Sequence, residues 1–361
     1  MLSANCPFPA YYIESFSARP GGALSAECGM LPFKLVYSDA YYLPIGEHVF
    51  PAEKYRRIRD RLLADGIADA NDFLQPHPAN DQDILLVHKP EYVHKLKTGT
   101  LSPREEMEME IPYSRELVGA FWLAAGGSIL AARQALTDGV GISIGGGFHH
   151  AFPDHGEGFC MIHDVAVAIR RLQRDDKIRN AMTVDCDVHQ GNGTAAIFAG
   201  TRTASEPLPS VFSTLRRPEG TPRGGRMRGA HAGEVFTISL HQHNNYPLHK
   251  PASSIDVDLP DGVEDDDYLA WLDNALSSGL RQFEPELICY LAGADPYRED
   301  QLGGLSLTIE GLKERDELVF RVARARGIPV MVTFAGGYAQ NVEDTVTIHC
   351  NTVIAAKEIF S

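Results

Sequence analysis

The sequence has no Cys-x-x-Cys pair, and its six cysteines, Cys6, Cys28, Cys160, Cys186, Cys289 and Cys350, are scattered over 361 residues. A dense disulfide framework is thereby excluded, and a reducing, cytoplasmic location is expected. Positive charge is also scarce: 33 Lys and Arg against 48 Asp and Glu leave a net charge of −15. Such a balance argues against a general nucleic-acid binder and suits a soluble protein that attracts cationic partners. No basic segment followed by an apolar run is visible at the N-terminus, so no secretory signal is read. Long hydrophobic runs are missing too. The longest apolar-leaning stretch, Leu117 to Leu136, holds Gly126 and Gly127 side by side and Arg133 near its end, and reads as a buried helix rather than a membrane span.

What is present is a set of short apolar runs: Phe33 to Tyr37, Ile84 to Val87, Val140 to Ile144, Ala181 to Val184, Val235 to Leu240, Leu287 to Leu291 and Pro329 to Phe334. Continuous apolar strands alternating with helical patterns indicate a parallel sheet covered on both faces, hence one α/β domain of seven or eight strands. Helix signals agree. Pro51 suits the first turn of a helix running to Ala64, and Asp164 can cap Val165 to Leu172. Residues 1–32 carry Pro, Gly, Ser and Ala without periodicity and read as an extension before a domain spanning 33–361. Residues 201–233, with several Pro and Gly and with Arg216, Arg217, Arg223, Arg226 and Arg228, read as a long loop.

The chemistry gathers at four strand ends. Ala181 to Val184 leads into Asp185, Asp187 and His189, which strand alternation would put on one side; two carboxylates and an imidazole without thiolate suit a catalytic zinc or a similar first-row metal. Val140 to Ile144 ends in Gly145, Gly146, Gly147, Phe148, His149 and His150. Leu287 to Leu291 ends in Gly293, Ala294 and Asp295, and Pro329 to Phe334 in Gly336, Gly337 and Tyr338. Any one of these could be a turn or a helix cap, but glycine beside a reactive side chain at four strand ends marks the ligand crevice of an open parallel sheet.

Together the Gly-Gly-x-His-His-Ala run at 146–151, Gly158-Phe159-Cys160, Asp-x-Asp-x-His-x-Gly-x-Gly at 185–193, Gly293-Ala294-Asp295 with Asp300, and Gly336-Gly337-Tyr338 resemble the zinc-dependent histone deacetylase family over roughly residues 33 to 355. Gln190, Asn192, the segment His48 to Pro51 and Asn244-Asn245-Tyr246-Pro247 look most like its class IV branch and bacterial relatives. The resemblance implies an arginase/deacetylase fold, a single α/β/α domain around an eight-stranded parallel sheet.

It also implies site roles. Asp187, His189 and Asp295 would hold zinc, leaving coordination open for water and a carbonyl. Asp185 would hold His149 in its charged form, His150 facing neutral Asn192 would serve as general base and then acid, and Tyr338 would donate to the oxyanion. Gly158, Phe159, Tyr246, Leu302 and Gly337 would line the substrate path. A potassium ion would sit beneath the zinc at Asp185, Asp187, His189, Ser239 and Leu240, in part on backbone carbonyls. His163, beside the Gly158 turn, reads as part of a helix start and not as a ligand.

The expected activity is removal of acetyl or longer acyl groups from the lysines of a protein or peptide. A small cationic amide such as an acetylpolyamine is the alternative substrate, favoured if the acidic run Glu105, Glu106, Glu108 and Glu110 lies at the tunnel mouth. An arginase-like ureohydrolase would need two manganese ions and further Asp and His ligands that are not evident. A non-catalytic acyl-lysine binding module is disfavoured because every catalytic position is filled.

Overall fold

The computed structural model describes residues 30–199 and 233–361. Among the described residues one sheet contains eight strands: β1 (Lys34–Val36), β2 (Phe73–Leu74), β3 (Val140–Ser143), β4 (Ala181–Asp185), β5 (Val235–Gln242), β6 (Ile255–Leu259), β7 (Leu287–Leu291) and β8 (Val330–Thr333). Their order is β2-β1-β3-β8-β7-β4-β5-β6, with every pairing parallel. The helices are α1 (Lys54–Ala64), α2 (Asp81–Ile84), α3 (Pro90–Thr98), α4 (Pro103–Met109), α5 (Arg115–Asp138), α6 (Asp164–Arg174), α7 (Asn192–Phe198), α8 (Asp265–Gln282), α9 (Ile309–Ala325) and α10 (Val342–Phe360).

Strands β3, β4, β7 and β8 are buried along their whole length, which is why their sequences are continuously apolar: neither face meets water. Helix α5 packs on β1, β3 and β8, and α8 packs on β5 and β6. Local chemistry sets the helix ends. Ser114 caps α5 by accepting the Leu117 N–H at 3.0 Å, and α5 stops at Gly139 in the left-handed region, as a helix C-terminus favours.

Parallel pairing places Ser143, Thr333, Leu291 and Asp185 in one row across β3, β8, β7 and β4. The four strand ends singled out in the sequence are therefore four adjacent strands, and the segments leaving them emerge side by side at the carboxyl edge.

Several expectations are corrected. Ile84 to Val87 is not a strand: Asn80 accepts the Asp83 N–H and starts the single turn α2, which Ile84 ends. The β1 neighbour on that side is β2, only two residues long, and β6 at the other edge also went unread. Pro51 precedes α1 and accepts from Lys54 N–H in a turn instead of opening the helix. The cap of α6 is His163, whose Nδ1 accepts the Ala166 N–H at 3.2 Å; Asp164 is the first helical residue. The extension at 1–32 up to residue 29, and the loop at 201–233 up to residue 232, lie outside the described residues.

Candidate active site

Beyond β3 the chain must turn sharply, and Gly146 and Gly147 do so with φ of 99° and 79°, which only glycine adopts at little cost. Asp164 at the start of α6 braces this turn. Its carboxylate accepts the Phe148 N–H at 2.8 Å, the Gly147 N–H at 3.1 Å and the Ser128 hydroxyl at 2.5 Å. His149 and His150 are thus presented with their rings 4.0 Å apart.

The two imidazoles have different partners. His149 Nδ1 lies 2.7 Å from Asp185 Oδ2, whereas His150 Nδ1 lies 2.7 Å from the amide oxygen of Asn192. Burial opposes a charge on His149, but Asp185 and Asp187 outweigh it and raise its pKa to about 9. His150 is driven the other way, first by burial and then by the charges on His149 and His189, so its pKa falls well below the ordinary histidine value. The two imidazoles are thus biased in opposite directions, His149 toward its charged form and His150 toward its neutral one.

Strand β4 ends at Asp185, so Asp185, Asp187 and His189 do not share one strand face as strand alternation suggests. Asp187 and His189 lie in the following loop. Together with Asp295 beyond β7 they form a buried group whose ligand atoms all lie within 4.8 Å of one another. His189 Nδ1 is 3.0 Å from Asp187 Oδ1 and 3.3 Å from Asp295 Oδ2.

These residues fit a divalent cation. Asp295 Oδ2 is fully buried without a hydrogen-bond donor, a costly state for a carboxylate that a metal would relieve. The remaining carboxylate oxygens are held in place, Asp295 Oδ1 by the Val188 N–H at 2.9 Å, Asp187 Oδ2 by the Gly336 N–H at 2.7 Å and Asp187 Oδ1 by the His189 N–H at 3.0 Å. A Cβ at Gly336 would lie 1.9 Å from Asp295 Oδ2, so glycine there leaves room for the carboxylates. The donor set of two oxygens and one nitrogen suits zinc with an open position.

His189 of this group also lines a cavity of about 170 Å³, together with Glu110, His150, Gly158, Phe159, Asn245, Tyr246, Leu302 and Tyr338. It brings together all but one of the residues expected on the substrate path. Gly337 is not among its lining residues, and a Cβ at that position would meet Thr345 and Ala294 instead. Phe159 sits at φ 67°, an unfavourable backbone for a bulky side chain that positions its ring on the wall. Of the acidic run, Glu105 closes a capping box with Ser102 and pairs with Lys95, and Glu108 pairs with Arg104. Glu110 alone reaches the cavity.

Ser239 and Leu240, expected beside a potassium ion, are buried on β5, and Ser239 is in register with Asp185. The Ser239 hydroxyl contacts His241 Nδ1 at 3.0 Å. Cys160 and Cys186 are buried, with burial raising both thiol pKa values, so neither is a ready nucleophile.

Lys54 and Arg315, both near the site, carried no signal in the sequence. Lys54, on the first turn of α1, is fully buried and donates to the Ala335 carbonyl at 2.7 Å, with its ammonium 5.9 Å from the Tyr338 ring centre. Burial lowers its pKa to about 8, against the opposing pull of Asp295, Asp187 and Asp300. Arg315 on α9 is fully buried and donates to the carbonyls of Cys186 and Gly293, just ahead of Asp187 and Asp295. Asp300, seen in the sequence only as part of a motif, accepts the backbone N–H groups of Tyr338 at 2.6 Å, Leu302 at 2.8 Å and Gly303 at 3.0 Å, joining the tyrosine loop to the cavity wall.

Residues 48–353 match the model of the histone deacetylase domain. An uncharacterized protein of Picosynechococcus sp. is 36% identical over 91% of this chain and 99% of its own length. Histone deacetylase 2 of Arabidopsis thaliana is 30% identical over 85% of this chain and 75% of its own. Human histone deacetylase 1 is 26% identical, and the match covers 58% of its length. Among solved structures, an HDAC homolog complexed with SAHA shares the fold at a TM-score of 0.69 and 23% identity, over 91% of this chain and 84% of that one. An HDAC homolog from Aquifex aeolicus does so at 0.69 and 22%, over 91% and 88%. With the domain model spanning most of the sequence and the eight parallel strands in common, the chain belongs to the histone deacetylase family of hydrolases.

Proposed function

We propose that this protein is a zinc-dependent amidohydrolase that removes acetyl or longer acyl groups from lysine side chains, with the class IV branch as its nearest functional type. The observation that carries the reading is the buried Asp187, His189 and Asp295 group, whose His189 lines a cavity walled by Phe159, Tyr246 and Leu302. A flexible methylene chain fits such walls, and a polar floor fits the amide at its end.

Zinc supplies Lewis acidity when bound, polarising an amide carbonyl and making water acidic near neutral pH. His150, neutral and held at Nδ1 by Asn192, takes the proton of the attacking water on Nε2. A bond forms between that oxygen and the carbonyl carbon, and Tyr338 donates a hydrogen bond to the developing oxyanion. His150 then returns the proton to the lysine nitrogen as the carbon–nitrogen bond breaks, leaving a carboxylic acid and a free amine. His149, kept cationic by Asp185, stabilises negative charge across the step. The potassium site at Asp185, Asp187, His189, Ser239 and Leu240 is part of this proposal, supported by the register of Ser239 beside Asp185.

Glu110 favours a second reading, since a carboxylate at the cavity can attract a cationic small amine such as an acetylpolyamine. Hydrolysis of acetyl-, octanoyl- and myristoyl-lysine peptides beside acetylated polyamines separates the two. Preference for the peptides supports the first, and preference for the polyamines replaces it with the second.

A further inference from the structure

Asn192 is asked to do two opposite things. Its Oδ1 accepts from His150 Nδ1 at 2.7 Å and from the Gly193 N–H at 3.0 Å. The backbone N–H can only donate, so this end of the amide must be the oxygen. The Nδ2 end therefore points the other way and donates to Glu157 Oε2 at 2.7 Å. The same oxygen accepts the Tyr246 hydroxyl at 3.2 Å, and Glu157 Oε1 faces His155 Nε2 at 3.0 Å.

We propose that Glu157 is a positioning residue for the deacylation step: it fixes the Asn192 amide, so that His150 keeps its proton on Nδ1 and a free Nε2, and it ties that base to the Tyr246 wall of the acyl-lysine cavity. The inference rests on the reading of His150 as general base. It explains why position 192 is asparagine. A side chain there must accept from His150 and donate to Glu157, and an aspartate would set two carboxylates at hydrogen-bond distance. The pair acts as a unit, with a neutral oxygen toward the base and a carboxylate behind it.

The charged or titratable groups around Glu157 are His155, Tyr246 and, farther off, Glu110. None of them can replace it as the acceptor of the Asn192 amide while holding its own place. His155 is itself held on its other side by Asp154 at 2.9 Å, so Glu157 is braced from the surface.

The test is a double-variant cycle, Asn192→Asp, Glu157→Gln and the two combined, with Glu157→Ala alongside. In the zinc-loaded protein N192D is expected to lower kcat by about tenfold or more, with a smaller change in KM. Combining it with E157Q, whose amide can donate to the new carboxylate, restores at least half of that loss. E157A lowers kcat severalfold and E157Q recovers most of the difference. A second readout needs no turnover. In 15N-histidine-labelled protein the hydrogen-bonded His150 Nδ1–H resonance is present in the wild type, broadened in N192D and E157A, and sharp again in the double variant. Additive kcat effects with an unchanged resonance overturn the proposal even if the enzyme deacylates lysine. The expected resonance pattern in a protein that hydrolyses no acyl-lysine sustains the positioning and sinks only the proposed activity.

Discussion

The guanidinium of Arg315 donates to the carbonyl oxygen of Gly293 at 2.6 Å without any exposure to solvent. It also reaches the Cys186 carbonyl at 3.3 Å, so a single side chain on α9 holds the backbone just ahead of both Asp187 and Asp295. Its charge is matched by Asp316, which it meets at 2.8 Å and which also accepts the hydroxyls of Tyr290 at 2.5 Å and Thr352 at 2.6 Å.

Removing one partner of a buried ion pair strands the other. Arg315→Met should cost about 3–5 kcal/mol of folding stability, measured by urea unfolding. It should also weaken zinc binding about tenfold or more. Arg315→Lys keeps the charge but not the planar fork and should fall between. A loss below about 1 kcal/mol would deny the clamp its role.

Tyr338→Phe keeps the ring against Phe159 and His189 and removes only the hydroxyl. Steady-state assays should show kcat reduced by about a hundredfold or more, with zinc content unchanged. Full activity would take Tyr338 out of the mechanism.

Gly336→Ala tests the room left for the carboxylates. The new Cβ would lie 1.9 Å from Asp295 Oδ2 and 2.6 Å from Asp187 Oδ2, so a carboxylate must move. Zinc affinity, read by competition with a chelating dye, should fall about tenfold or more. Gly119→Ala on α5, where a Cβ meets nothing within 4 Å, should bind zinc like the wild type.

Stability should fall in mild acid because of two buried neutral histidines. His88 donates from Nδ1 to the Phe152 carbonyl at 3.0 Å and accepts the His163 N–H on Nε2 at 2.9 Å. Burial lowers its pKa to about 4. Burial, and after it the repulsion from His88 and His149 in their protonated forms, holds His163 well below the ordinary histidine value. Protons bind the unfolded chain at a pKa of about 6.5 before they bind the folded one. The contribution of His88 is thus complete above that pH and is lost toward pH 4, at up to about 1.4 kcal/mol per pH unit. Urea midpoints of wild type and His88→Gln, compared at several pH values, should converge as the pH falls. A constant difference would show that His88 does not titrate in that window.

Legibility in the sequence followed distance along the chain. The central strands could be read because burial on both faces forces an unbroken apolar run, and the four strand ends of the candidate site because glycine and candidate ligand residues are contiguous there. Edge strands were less legible: β2 is two residues long, and β6 alternates apolar and acidic residues with only one side covered. Ile84 to Val87 shows that four apolar residues do not reveal their period, and the Asn80 cap decided the matter. Lys54, Glu157 and Arg315 went unread because each acts on backbone or side chains remote in sequence. Lys54 and Ala335, for example, are 281 residues apart.

The most direct test is turnover of ε-acyl-lysine peptides by protein depleted of metal with a chelator and then titrated with zinc. Hydrolysis should disappear on depletion and return in full at one zinc per chain, with peptides preferred over acetylated polyamines. No turnover of any acyl-lysine peptide at full zinc occupancy, or a requirement for two metals per chain, would contradict the account.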